Sequence, residues 1–256
     1  MRLICLNTWG GRAGSEKLLA FLGLHRDADF ICLQEVWSGS YENLQGVAAG
    51  AAPLSQAEVM VYGKQAISAL LDSHQALFHP HCLNTYGLMT LVSRRLEVVD
   101  SGDVFVHRER DFVPQGNLGL HARNIQFVSV AAPAGRFSVM NFHGLWNGQG
   151  KGDSDERIAQ SRRILAFLAS RPEPFVLCGD FNLQPDTRSL RMLEEEGLRN
   201  LIAEHAVTST RTSLYPRAER FADYVLVSAG VDVLEFGALP DEVSDHAPLS
   251  LEFALS

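Results

Sequence analysis

Two stretches of this chain follow one plan. LLAFLGLHRDADFICLQE (18–35) and ILAFLASRPEPFVLCGD (164–180) each carry an apolar helix end, a short turn, an apolar strand and a terminal acid. Upstream of each lies a further apolar run with Asn near its end, LICLNTWGG at 3–11 and FSVMNFHGLW at 137–146. Downstream, TLVSRRLEVVDSG (90–102) aligns without a gap on VLVSAGVDVLEFG (225–237). Leu91, Val92, Ser93, Val98 and Gly102 recur there as Leu226, Val227, Ser228, Val233 and Gly237. Three blocks in one order point to two similar halves, about 1–132 and 133–256. The period is about half the chain, too long for the ~20–50 residue repeats of a solenoid. No Pro/Gly/Ser linker divides the halves. The expectation is one domain over 1–256 with two packed layers of sheet.

Strand-like runs fall at 2–7, 29–34, 87–93, 96–99, 117–122, 125–130, 136–142, 174–179, 223–228, 231–235 and 248–254. Helical patterns cover 15–24, about 55–72, 154–169 and 187–196, with Asp186 placed to cap the last. Strands alternate with helices in part and follow one another elsewhere, which predicts mixed sheets flanked by helices. HPHC at 79–82 reads as a polar turn around Pro80 rather than as a metal pair of His79 and His81.

At 46% apolar and 20% charged, the composition is globular. No apolar run approaches the ~18 residues of a membrane span, and the N-terminal residues lack the longer apolar region of a signal peptide. A cytoplasmic protein is expected. Its four cysteines, Cys5, Cys32, Cys82 and Cys178, form no C-x-x-C pair and read as free buried thiols. A net charge of −8 counts against a grip on long duplex DNA, which calls for a basic surface.

Polar groups gather at the ends of the apolar runs. Alternate residues of a strand share a face, so Asp180 and Asn182 would project together, with Phe181 turned into the core. Glu35 ends the related strand, and the strands before each end at Asn7 and at Asn141 to His143. Asp223 opens a late apolar run, and Asp245 and His246 stand before a proline near the C-terminal end. Two halves packed about an approximate two-fold would bring these ends into one cleft. Taken singly, each residue reads equally well as a turn or loop residue.

The motifs LNTWGG, LQEV, NFHG, GDFN, FADYVLVS and SDHAPL occur here in the order seen in the endonuclease/exonuclease/phosphatase superfamily, and the chain resembles it from Leu6 to Leu249. LQE alone is weak; GDFN followed by D-Y-x-L-x-S and SDH-x-P is specific. The resemblance implies a four-layer α/β sandwich, two packed mixed β-sheets with helices on both outer faces. It implies a metal-dependent phosphohydrolase, first a phosphodiesterase or nuclease using Mg2+, with Mn2+ as a substitute. A phosphomonoesterase on a nucleotide or inositol phosphate is the alternative, and a binding module on the same fold the non-enzymatic one. The substrate is nucleic acid or a small phosphate ester; no protein partner is implied.

Residue by residue, Glu35 resembles the principal metal carboxylate, with Asn7 beside it and Asp245 as a further contributor. His246 resembles the general base. Its orienting carboxylate is expected to be Asp223 rather than adjacent Asp245, because neighbours on an extended chain point apart. A carboxylate behind the imidazole fixes its tautomer and raises its basicity. Asp180 and Asn182 resemble the pair that positions water and a phosphate oxygen, and His143 a donor to phosphate or the leaving group. His143 stands where abasic-site endonucleases have tyrosine, which argues against that branch. Arg157 and Gln160 either support the site or lie on a solvated helix face. Two departures, Gln115-Gly116 for Lys-Gly and Phe221 for an arginine, remove positive charge near the cleft.

Overall fold

The computed structural model describes residues 1–40, 55–114, 118–133 and 135–256. In chain order the elements are β1 (Arg2–Asn7), α1 (Ser15–Leu24), β2 (Phe30–Trp37), α2 (Gly63–Leu70), β3 (His74–Cys82), β4 (Tyr86–Ser93), β5 (Val98–His107) and β6 (Arg123–Ala132). There follow β7 (Gly135–His143), α3 (Asp155–Leu168), β8 (Phe175–Asp180), α4 (Arg188–Glu195), β9 (Arg199–Asn200), α5 (Leu201–Glu204), β10 (Asp223–Val227), β11 (Val231–Ala238) and β12 (Leu249–Leu255).

The strands form two six-stranded sheets, ordered β11-β12-β1-β2-β4-β3 and β5-β6-β7-β8-β10-β9. Each is mixed: β1–β2 and β7–β8 run parallel, and β2–β4 and β8–β10 antiparallel. The repeated blocks take the same place in both sheets. β1 and β7 are third, β2 and β8 fourth, β4 and β10 fifth, and β5 and β11 each open a sheet. The sheets do not follow the halves of the chain, because β5 and β6 join the second sheet while β11 and β12 return to the first.

Both faces of the central strands are covered, which is why they read as continuous apolar runs rather than alternating ones. Ile4, Leu6, Ile31 and Leu33 pack with Leu18, Phe21 and Leu22 of α1 and Ile67 of α2. Leu3, Cys5, Phe30 and Cys32 belong instead to the core that includes Val139, Val176 and Cys178 of the second sheet and Ile164, Leu168 and Leu190 of α3 and α4. The result is the expected α/β sandwich with helices outside two packed sheets. All four cysteines are free and buried.

Some local expectations are corrected. Residues 74–82 form β3, and Pro80 lies within that strand rather than in a turn. β3 is an edge strand, where the missing N–H of proline costs no ladder bond. The run at 117–122 is no strand among the described residues: a 3-10 turn covers Leu118–Leu120, and β6 starts at Arg123. The helix expected at about 55–72 is a 3-10 turn at Gln56–Glu58 followed by α2. Asp186 does not cap α4. The N–H groups of Arg188 and Ser189 donate instead to Asp153 Oδ2 at 2.6 Å and Oδ1 at 2.9 Å, so the cap comes from the loop before α3.

Candidate active site

Strand register sets the first three side chains. Across three adjacent strands, His143, Asp180 and Asp223 are direct neighbours: His143 pairs with Asp180, and Asp180 with Asp223. In the first sheet, Asn7 pairs with Gln34, one residue short of Glu35. The β2–β4 register breaks between Leu33 and Val36, and Glu35 sits in this bulge with φ +59°. Bulges re-aim side chains at the cost of strain. Gln34 can therefore point between the sheets, donating to Asn141 Oδ1 at 2.7 Å, while Glu35 reaches the cleft.

Asn7 bridges the two sheets. Its Nδ2 donates to Glu35 Oε1 at 3.2 Å and to Asp180 Oδ2 at 2.9 Å, while its Oδ1 accepts from the Trp9 N–H at 2.9 Å. The amide thus offers the carboxylates its NH2 and holds Glu35 in place. Asp180 ends β8 after Gly179, whose φ is +145° and where a Cβ would collide with the Phe142 carbonyl oxygen, so the backbone there admits only glycine. The strand alternation expected for Asp180 and Asn182 is interrupted. Asn182 has φ +54°, and its N–H donates to Asp180 Oδ1 at 2.8 Å. Its Nδ2 lies 3.4 Å from the Gly144 carbonyl. Phe181 is buried, as the pattern predicts.

His246 faces Asp223 through Nδ1, 2.8 Å from both carboxylate oxygens. Asp223 is in turn seated by its own N–H, which donates to Thr210 Oγ1 at 3.2 Å. The Nε2 of His246 is 3.7 Å from Asp180 Oδ2 and 3.7 Å from Asp245 Oδ1, beyond direct hydrogen bonding to either. Asp245 Oδ2 accepts from Arg211 Nη1 at 3.1 Å, and its Oδ1 has no hydrogen-bond partner. His143 Nε2 lies 3.7 Å from Asp180 Oδ2 and 3.9 Å from Glu35 Oε1. The residues expected at the site come together in one cluster where the two sheets meet.

Burial raises the Glu35 carboxyl above its ordinary pKa, against the pull of His246 and Asn7. Burial would raise Asp180 too, but His246, Lys151, Arg211 and the Asn182 N–H hold it below the usual range. Burial and Arg211 pull His246 down; Asp223, Asp245 and Asp180 outweigh them, and its pKa is raised. His143 is driven well below 6.5 by burial and by Arg123, so it is neutral at pH 7.

Two groups of donors among the described residues are close enough to share a cation: Glu35, His143 and Asp180, and Asp180, Asp223 and His246, each with its donor atoms within 4.8 Å of one another. A hard divalent ion takes carboxylate oxygens. The first group fits one through the carboxylates of half-buried Glu35 and of Asp180. Asp245, whose Oδ1 is unpartnered, belongs to neither group.

Several site residues carried no readable signal. Arg211, Lys151 and Tyr215 lie in loops without periodicity, and Thr210 is a lone hydroxyl. Arg123 is fully buried beside the cleft, its Nη2 donating to the Gly119 carbonyl at 3.2 Å. Tyr86 keeps its proton because burial and the Glu35 carboxylate raise its pKa well above 10. Arg157 and Gln160 are not on a solvated face: both are buried, and both bind the backbone of the loop after β7.

A buried His–Asp pair thus faces a carboxylate cluster between two similar sheets. The sequence profile of the Endonuclease/Exonuclease/phosphatase family matches residues 4–246, and the chain belongs to that family. No match is found among curated proteins. Among solved structures, an endonuclease/exonuclease/phosphatase family protein from Bacteroides thetaiotaomicron is 16% identical with a TM-score of 0.74, covering 100% of this chain and 98% of that one. A mannosyl-6-phosphatase from the same organism is 15% identical with a TM-score of 0.73, covering 100% of both chains. The human nocturnin catalytic domain with bound sulfate anion is 17% identical with a TM-score of 0.66, covering 100% of this chain and 93% of that one. At these identities the likeness is one of fold.

Proposed function

We propose that the protein is a Mg2+-dependent phosphohydrolase that cleaves phosphodiesters by attack of water, with Mn2+ able to substitute. One observation carries the reading: His246 is fixed by Asp223 at Nδ1 and leaves Nε2 turned toward Asp180, inside a cleft lined by Glu35, Asn7 and His143. That is the arrangement a general base needs, with a carboxylate behind the ring and a free nitrogen before it. His246 takes the proton of the attacking water, and Asp180 orients that water. Asn182 and neutral His143 donate to phosphoryl oxygens, while Asn7, its NH2 given to Glu35 and Asp180, holds both carboxylates at the substrate. Glu35 and Asp245 are the carboxylates for the cation, with Asn7 beside them. A bound divalent ion would neutralise charge on the phosphoryl oxygens. The four free thiols support a reducing compartment, the cytoplasm, and no helix among the described residues is long and apolar enough to cross a membrane.

The test is a panel of phosphate monoesters and diesters with magnesium, manganese or chelator. Diester turnover that needs the metal is expected. His246→Ala and Asp180→Asn are each expected to lower kcat by about 10²–10⁴-fold, with the circular dichroism of the folded protein kept. Full activity in either folded variant would falsify its assigned role. The phosphomonoesterase is the second reading, supported by the fold shared with the mannosyl-6-phosphatase. Faster monoester than diester turnover would favour it.

A further inference from the structure

Of the two departures from a positively charged pattern, Gln115-Gly116 lies outside the described residues, and Phe221 carries no charge. Besides buried Arg123, two cations stand near Asp180. Arg211, in the loop before β10, is 8% exposed, and Asp245 answers its charge at 3.1 Å. Lys151, in the loop between β7 and α3, is 6% exposed, and its Nζ has no hydrogen-bond partner. The ring of Tyr215 joins them: Arg211 Cζ lies 4.1 Å from its centroid and Lys151 Nζ 5.6 Å.

A buried ammonium without a partner is costly, and a fold needing only filler would place Leu or Met there. The Lys151 loop is nonetheless held firmly. The Lys151 carbonyl accepts from the Gln184 N–H at 2.9 Å. The Arg157 guanidinium binds the carbonyls of Leu145, Gly150 and Gly152. The backbone that carries the ammonium is thus held in place, part of the pre-organisation a binding group needs. Burial lowers its pKa to about 8, while Asp180, Asp223 and Asp245 resist, so it stays charged at neutral pH. Its field reaches the same carboxylates that surround His246.

We propose that Lys151, bracketed with Arg211 around the Tyr215 ring, is a substrate-binding residue whose ammonium donates to a non-bridging oxygen of the phosphoryl group. This rests on the phosphoester reading of the same site. The phosphoryl oxygen supplies the partner that the protein withholds, and the ammonium supplies positive charge beside Asp180. No covalent step is involved: the lysine holds the anion and gives up no proton.

The experiment titrates inorganic phosphate into the wild type, Lys151→Met and Lys151→Arg in magnesium buffer, followed by phosphorus NMR, with thermal melting beside it. Lys151→Met is expected to melt no lower than the wild type, since it removes an unpaired buried charge. It should weaken phosphate binding about tenfold or more, and Lys151→Arg should recover part of that loss. In diester assays, Lys151→Met should raise KM by a larger factor than it lowers kcat. Phosphate binding in Lys151→Met equal to wild type overturns the proposal, as does wild-type protein that binds no phosphate. If Lys151→Met melts lower, Lys151→Arg decides: binding no better than in Lys151→Met overturns the idea. Wild-type protein inert on every ester defeats the phosphoester reading and leaves the phosphate titration to judge Lys151. Ester turnover with phosphate binding and KM unchanged in Lys151→Met defeats the lysine alone.

Discussion

Asp223 and His246 lie 23 positions apart, yet both Asp223 oxygens stand 2.8 Å from His246 Nδ1. A neutral amide in place of Asp223 no longer dictates which ring nitrogen carries the proton and no longer raises the basicity of Nε2. Asp223→Asn is therefore expected to lower kcat by about 10²–10⁴-fold with KM little changed, by steady-state kinetics on a diester probe. A variant with wild-type kcat would remove Asp223 from its proposed role. That adjacent Asp245 does not back His246 was legible in the sequence, because adjacent residues diverge; Asp223 itself was what the family resemblance implied. The partner that Asp245 finds, Arg211, was not legible there. Arg211 sits in TSTRTSLYPR, where nothing periodic marks it.

Element geometry explains what single residues cannot. α3 starts at Asp155 after Ser154, whose side chain accepts from the Arg157 N–H. One turn in, Arg157 turns from the solvent to three carbonyls of the 144–152 loop, and Gln160 Oε1 accepts from the Leu145 N–H at 3.1 Å. The helix thereby fixes the loop that follows His143 and carries Lys151. Lysine has one ammonium where Arg157 uses a fork of donors. Arg157→Lys is expected to cost about 1–3 kcal/mol in urea unfolding and to speed amide exchange at 145–152. Unchanged exchange there would show that the clamp does not hold the loop. The R-x-x-Q spacing was visible in sequence, but a surface face and a clamp share that spacing.

Across the whole molecule, histidine burial sets the response to acid. Burial and nearby arginines lower His81 to about 3 and His107 to about 4, and push His121 and His143 well below 6.5. The unfolded chain binds protons at these groups near pH 6.5, while the folded chain does not. Their contribution to stability is present in full above that pH and is lost as pH falls toward 4. The raised pKa of His246 works in the opposite sense, favouring the fold below pH 6.5 and losing that as pH rises. The raised pKa of Glu35 acts in the same sense as that of His246. Four lowered histidines outweigh these two, and the lowered pKa of Asp180 adds to the acid side. Urea midpoints are expected to fall steadily from pH 7 to pH 4.5, less steeply in His81→Gln. Equal midpoints at pH 7 and pH 5 would count against neutral buried histidines.

The sequence by itself determined the central strands, the acids at their ends and the repeat that puts β1, β2 and β4 at the same places in one sheet as β7, β8 and β10 in the other. Those features are local: apolar periodicity, and residues a fixed number of steps apart on one chain segment. Only the tertiary structure decided that β5–β6 and β11–β12 exchange sheets, that a bulge re-aims Glu35, that Asn182 leaves the strand alternation, and that Lys151 and Arg211 share Tyr215 at the cleft. These depend on which distant segments pack together. A buried charge finds or lacks its partner through space, and no spacing along the chain records that.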